Sequence, residues 1–349
     1  MASGPMAAPA CCSAATRGGN HFWAQISHAG RQTMAFINPH PKAPSAVRLG
    51  LPGGQFGAPV EMSAADIAQV VERFGVAAAA CKAAGFTGVQ VHAAHGYLLS
   101  SFLSPRSNVR TDAYGGSLEN RARVLLEAVA SVRAAVGPDF PVAVKLNSAD
   151  FQRGGFAFED SLQVAEWLAA AGVDCLEISG GTYEQPKLLG IEGMETTDPQ
   201  NVAVSTLARE AYFVDFAKAM QAHVTMPLMV TGGFRTRAAM VQALDAGAAD
   251  IVGLGRPMCV MPDAPAQLIA GLAALPRFEQ TLALLPRWLA GLKAIKTIRA
   301  IDGFAVQYWF YGQIYALARS GRSDPALTVF AAWREVERMN KHLMASRKG

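Results

Sequence analysis

Six short apolar segments, each ending in or followed by a polar residue or glycine and alternating with amphipathic patterns, constrain this 349-residue chain more than any other feature. They are Trp23–Ile26, Val89–His92, Val142–Leu146, Cys175–Ile178, Leu228–Thr231 and Ile251–Gly253. Several are nearly continuous apolar runs, which predicts parallel strands covered by helices on both sides. The first intervening helix starts at Ser63, with Asp66 in its opening turn. Ile67, Val70, Val71 and Phe74 then fall at i, i+3, i+4, i+7 spacing, and Gly85 closes it. Ser117 caps a second helix that turns Val124, Leu125, Ala128 and Val129 inward, and similar patterns cover Leu162–Ala171, Leu207–Ala222 and Ala238–Gly247.

Chemistry-bearing residues gather where these strands end. Ser27-His28, His92, Asn147-Ser148, Ser179-Gly180-Gly181, Gly232-Gly233 and Gly255-Arg256 all follow strands. A (β/α)8 barrel collects its function at that end and commonly holds phosphate after its last two strands. Gly232, Gly233, Gly255 and Arg256 occupy those positions. Glycines let backbone N–H groups approach an anion, and a guanidinium adds a fork of donors. A glycine pair is also an ordinary turn, so the expectation rests on the two sites together.

Residues 88–121 are the most informative stretch. Val89 and Val91 alternate with Gln90 and His92, the chain turns at Gly96, and His95 and Tyr97 flank that turn. Two imidazoles three residues apart suit a carbonyl held by two donors, and a phenol beside them suits proton delivery. A strand-end histidine is also a common structural residue, so the reading rests on the group.

Composition narrows the field. A net charge of +4, from 31 basic against 27 acidic residues and without a basic stripe, gives no sign of a nucleic-acid partner. A small-molecule substrate is expected, and the oligomeric state is left open. Cys11, Cys12, Cys81, Cys175 and Cys259 form no CxxC pair, which fits a reducing compartment and argues against an iron–sulfur cluster. No metal ligand set is expected. The aromatic-apolar stretch Phe304–Ala318 carries Gln307 and Gln313 and is short for a membrane span. A cytoplasmic protein is expected, with a plastid or other organelle as the alternative. Residues 1–20, rich in small residues with Arg17 as the one basic residue, read as a disordered or low-complexity start. Residues 277–349, with Trp288, Tyr308, Trp309, Phe310, Tyr311 and Trp333 in helical patterns, read as a C-terminal helical extension packed over the domain at 21–276.

From His21 to about Leu275 the chain resembles the Old Yellow Enzyme family of FMN-dependent NAD(P)H:flavin oxidoreductases. The residues that carry this are Gln25 with His28-Ala29-Gly30-Arg31, His92-Ala93-Ala94-His95-Gly96-Tyr97, and Asn108-Val109-Arg110-Thr111-Asp112 with Tyr114-Gly115-Gly116-Ser117. Thr231-Gly232-Gly233 and Gly253-Leu254-Gly255-Arg256-Pro257 complete the set. The resemblance implies a TIM barrel that holds FMN, takes reducing equivalents from NADH or NADPH, and reduces activated C=C bonds such as enones. It implies that Gln25 bonds the flavin pyrimidine edge and that Lys145 stands beside the N1–O2 edge. Gly232, Gly233, Gly255 and Arg256 would cradle the phosphate. His92 and His95 would hold the substrate oxygen while hydride from flavin N5 reaches the β-carbon and Tyr97 protonates the α-carbon. A phenol, with an ordinary pKa of ~10, is protonated at neutral pH as that role requires. His28 and Arg31 would line the site or fix their loop.

A barrel closes with eight strands, whereas this reading finds six and expects the first two to be missing. The fold class is therefore α/β, an incomplete (β/α)8 barrel with a helical extension. Unpaired edges would lie at Trp23–Ile26 and Ile251–Gly253. Two rival functions stay open: a non-catalytic remnant of the family that no longer holds FMN, and a flavin-free aldolase or isomerase using Lys145 as a Schiff-base lysine.

Overall fold

The computed structural model describes residues 7–51, 54–182, 184 and 213–346. At its centre, β1 (Trp23–Ile26), β4 (Gly88–Ala93), β5 (Val142–Asn147), β6 (Cys175–Ser179), β7 (Leu228–Thr231) and β8 (Ile251–Gly253) form one six-stranded sheet in that order. Every neighbouring pair is parallel. A separate two-residue pairing joins β2 (Lys42–Ala43) to β3 (Val60–Glu61). Among the described residues the large sheet ends at β1 and β8, which do not pair with each other. The strands are those expected, with β4, β5 and β6 each running one residue further at the functional end.

Strand periodicity divides the sheet into two chemically different faces. Val89, Val91, Val142, Val144, Leu146, Leu176, Ile178, Leu228 and Val230 belong to the main hydrophobic core. They meet α2 (Ala64–Ala83), α4 (Leu118–Val136) and α5 (Phe158–Ala170), which contribute Ile67, Phe74, Val124, Leu125, Val164 and Leu168. The intervening positions instead carry Gln25, Gln90, His92, Lys145, Asn147, Glu177, Ser179 and Thr231. The expectation of helices on both faces is therefore corrected: helices cover one face, and the other is a polar inner wall. Apolar runs looked continuous because Ala143, Cys175 and Met229 also lie on that inner face.

Local signals set the limits of α2 and the start of α4 as read from sequence, whereas α5 begins four residues before the expected Leu162. Ser63 and Asp66 form a reciprocal capping box at α2, and Gly85, at φ +92°, follows the helix end. Ser117 accepts the Asn120 N–H at the start of α4. Among the described residues, α3 (Leu98–Leu103) and α5 are followed by α6 (Val214–Met220), α7 (Arg237–Asp245), α8 (Ala264–Ile269), α9 (Lys296–Ser320) and α10 (Val329–Ser346). The helix expected over Leu207–Ala222 is seen from Val214; its positions 207–212 lie outside the described residues.

The two ends differ from expectation. Ala7–Thr16, expected to be disordered or of low complexity, forms helix α1 and buries Cys12; positions 1–6 lie outside the described residues. The C-terminal extension is helical as expected, but it builds its own small core from Val260, Ala305, Trp309, Phe310, Val329 and Ala332. It meets the domain at the segment after β8, through Val260 with Cys259 and Met261. Gln313, fully buried, donates to the Asp324 carbonyl and accepts the Asp324 N–H, both at 2.7 Å, tying α9 to the turn before α10. Among the described residues, no helix is long and apolar enough to cross a membrane, and no cluster of His, Cys, Asp and Glu could hold a metal ion.

Candidate active site

The site begins where β4 stops. His92 is its penultimate residue and points to the inner face, only 5% exposed. Its Nδ1 accepts the Ala94 backbone N–H at 3.2 Å. In the neutral ring this leaves the proton on Nε2, making that atom a donor. Burial is the main cause that lowers the His92 pKa, to about 4, and the Lys145 charge adds to it. His92 is thus a neutral hydrogen-bond donor at physiological pH.

His95 is held in a conformation few residues adopt. Its φ of +62° is left-handed, a strain that persists only when surroundings over-determine it. Those surroundings are visible: its N–H donates to Asn147 Oδ1 at 3.0 Å and its carbonyl accepts from Gln32 Nε2 at 3.0 Å. The Asn147 amide in turn donates to Asp150 Oδ1 and the Gly181 carbonyl. His95 Nε2 lies 2.7 Å from Ser179 Oγ, and burial holds its pKa well below the ordinary histidine value.

Tyr97 caps α3 with extended backbone and sets its ring edge-on to His92, with centroids 4.9 Å apart at 88°. The His92 and His95 centroids are 5.2 Å apart at 74°. The three expected catalytic side chains therefore meet, with His92 in the middle. The turn that presents them is bolted to the loop after β1, where Leu98 N–H donates to the His28 carbonyl. A Cβ on Gly30, at φ +57°, would lie 3.0 Å from Leu98 Cα, so this approach requires glycine. His28 and Arg31 fix that loop. His28 Nδ1 accepts the Gly30 N–H, and Arg31, 5% exposed, pairs with Glu184 at 2.5 Å.

Below the rings runs a ladder of polar side chains. Register places His92, Lys145 and Glu177 in one row across β4, β5 and β6, with Gln25 and Gln90 in the row beneath. Lys145 Nζ donates to Glu177 Oε1 at 2.7 Å, Gln90 Nε2 to Glu177 Oε2 at 2.7 Å, and Gln25 Nε2 to Gln90 Oε1 at 2.6 Å. Gln90 reaches across β5 because Ala143 stands between the two. Burial opposes ionisation of Glu177, but the Lys145 charge with hydrogen bonds from Lys145, Thr231 and Gln90 outweighs it, so the carboxyl stays below its ordinary range. The ion pair also disfavours the Schiff-base reading, which needs a neutral amine.

The cradle residues occupy the far end of the sheet. Gly232 and Gly233 follow β7 at φ +126° and +81°, and Gly255 follows β8 with open space where a Cβ would stand. Arg256 opens a 3-10 turn, Arg256–Cys259. Glu279 lies within reach of its charge and pairs with Arg235 at 2.7 Å. Two successive glycines with positive φ, an open Gly255 and a cation fit the phosphate of FMN. Gln25 and Lys145 offer an amide and an ammonium to a pyrimidine edge. Asn147 and Ser179 were read only as polar residues at strand ends, without a role, and Gln90 and Glu177 were not anticipated as site residues. Their signal was there: each is a polar residue at an inward position of an otherwise apolar strand.

The NADH:flavin oxidoreductase / NADH oxidase family model matches residues 12–274. The chain is 42% identical over 256 residues to the NADH-dependent flavin oxidoreductase iliE of Neonectria sp. (strain DH2), covering 69% of this chain and 33% of that protein. It spans 64% of a second relative, the NADH-dependent flavin oxidoreductase iccE of Talaromyces variabilis, at 37% identity over 76% of this chain. Thus the chain spans less than two thirds of either relative. Morphinone reductase superposes with a TM-score of 0.61 and 28% identity, over 79% of this chain and 72% of that one. The family's cofactors are FMN with NADH or NADPH. With the helix-backed parallel sheet and strand-end residues in place, the chain belongs to the NADH:flavin oxidoreductase / NADH oxidase family.

Proposed function

We propose that this chain carries the flavin side of an NAD(P)H-dependent reductase acting on electron-poor alkenes such as enones. The observation that carries this reading is the three-ring cluster centred on a neutral His92 whose Nε2 is a donor. FMN, when bound, supplies hydride that originates in NADH or NADPH. Gln25 and Lys145 would hold the ring's pyrimidine edge, while Gly232, Gly233, Gly255 and Arg256 would hold the phosphate. His92 donates to the substrate's carbonyl oxygen and draws electron density from the conjugated double bond. His95 joins it once its Nε2 exchanges Ser179 for the substrate. Tyr97, packed on His92, delivers a proton to the α-carbon.

The test is reconstitution. The purified chain is incubated with FMN, desalted, and its visible spectrum recorded. It is then assayed for NADH- and NADPH-driven reduction of cyclohexenone. Retained flavin bands and turnover that Tyr97→Phe lowers by about 10²-fold, without changing FMN affinity, support the reading. A chain that stays colourless refutes it and favours the non-catalytic remnant; turnover indifferent to Tyr97 refutes the proton donor.

A further inference from the structure

We propose that Glu177 is a positioning residue: its carboxylate sets the direction of every hydrogen bond in the inner-face ladder and thereby orients Gln25 toward a ligand. The inference rests on the flavin-binding reading above and names a device within that site.

The argument is one of donors and acceptors. An ionised carboxylate only accepts. Glu177, 4% exposed, receives Lys145 Nζ on Oε1 and Gln90 Nε2 on Oε2. Gln90 must therefore turn its nitrogen to Glu177, and its oxygen is left facing β1. Gln25 answers with its own nitrogen. Its carbonyl oxygen and second N–H are the groups left to a ligand, one acceptor beside one donor. That pair complements an imide edge, where an N–H stands next to a carbonyl, and the pyrimidine ring of a flavin presents such an edge. An unanchored amide would be as stable flipped, presenting its two groups in the wrong order. Lys145 is set by the same carboxylate: one N–H is committed to Glu177, and the ammonium is drawn toward β6. No other carboxylate is described on the inward positions of these six strands.

A plain structural ion pair would also be buried here, so the test must separate the two roles. Dissociation of FMN is measured for the wild type, Gln25→Ala, Glu177→Gln and the double variant. Each single change is expected to weaken FMN by about tenfold, the upper end of what one neutral hydrogen bond contributes. In the Glu177→Gln background, Gln25→Ala is expected to cost little more, because an unoriented Gln25 contributes little. Independent, multiplicative losses overturn the proposal. Gln90→Leu cuts the ladder while keeping the Lys145–Glu177 pair; it must likewise abolish the Gln25 effect, and serves also where Glu177→Gln fails to fold. The side-chain amide resonances of Gln90 are read in the flavin-free protein. A proton shifted by its bond to a carboxylate, returning toward the free-amide position in Glu177→Gln, supports the ladder; no change overturns it. Because this readout needs no flavin, failure of FMN to bind refutes the functional reading alone.

Discussion

The two ends of the inner face recognise in opposite ways. Between β4 and β6 the site is made of side chains, mostly buried and bonded to one another, from His92 through Lys145 and Glu177 to Gln90. At β7 and β8 it is made of backbone, with short strands, an exposed Gly255 and Ile251 44% exposed on the edge strand. A side-chain site is rigid because each group holds its neighbour. A backbone site is specific because of what is missing at glycine. Substitutions should therefore damage the first through lost partners and the second through added atoms.

The largest effect is expected at Lys145. Its side chain is 13% exposed and that of Glu177 5%. Lys145→Met strands a buried carboxylate and should destabilise the fold by about 3–5 kcal/mol in urea titration. Lys145→Met with Glu177→Gln should recover much of that loss, because no buried charge remains. If the single variant is as stable as the wild type, the rigid-ladder account of β4–β6 fails.

The acid limb of stability comes next. His92 has a folded pKa of about 4 against an ordinary 6.5, so between those values the unfolded chain binds more protons. Stability from a neutral His92 is complete above about pH 6.5 and declines as pH falls toward 4, by about 3 kcal/mol in all. His95 shifts in the same direction, whereas Glu177 adds a separate loss only as pH falls through its own lowered value. His92→Asn should flatten the upper part of this slope. An unaltered slope would place the titration elsewhere.

The glycine end sharpens the contrast from the other side. A Cβ on Gly253 would stand 1.8 Å from Thr231 Oγ1, so Gly253→Ala should cost about 1–3 kcal/mol through overpacking. Nothing lies within 4 Å of a Cβ at Gly255. Gly255→Ala should therefore leave thermal stability unchanged while weakening FMN. Equal effects at the two glycines would erase the distinction drawn between packing and cradle.

What was legible from residues alone follows the same division. Strands, capped helices and the His92–His95–Tyr97 group were readable because period, cap chemistry and spacing are local properties. The ladder was not, since Gln25, Gln90, Lys145 and Glu177 lie on four separate strands and meet only through register. The covered and polar faces were confused for a similar reason, with Ala143, Cys175 and Met229 masking the alternation. Helix α1 was hidden by composition, as runs of alanine and serine read equally well as disorder.

The smallest effect tests how His95 is held. Ser179 Oγ is 2.7 Å from His95 Nε2, while the backbone of His95 is fixed separately by Asn147 and Gln32. Removing the hydroxyl therefore leaves the left-handed turn in place and releases only the ring. Ser179→Ala should cost no more than about 1 kcal/mol of stability, the net worth of one hydrogen bond. It should lower KM for an enone, because His95 no longer exchanges one partner for another on binding substrate. His95→Ala should raise KM in the wild type and in Ser179→Ala alike. A raised KM in Ser179→Ala would mean that the serine aligns the ring for substrate, and would assign the hydroxyl to the rigid network of β4–β6 rather than to a displaceable contact at its edge.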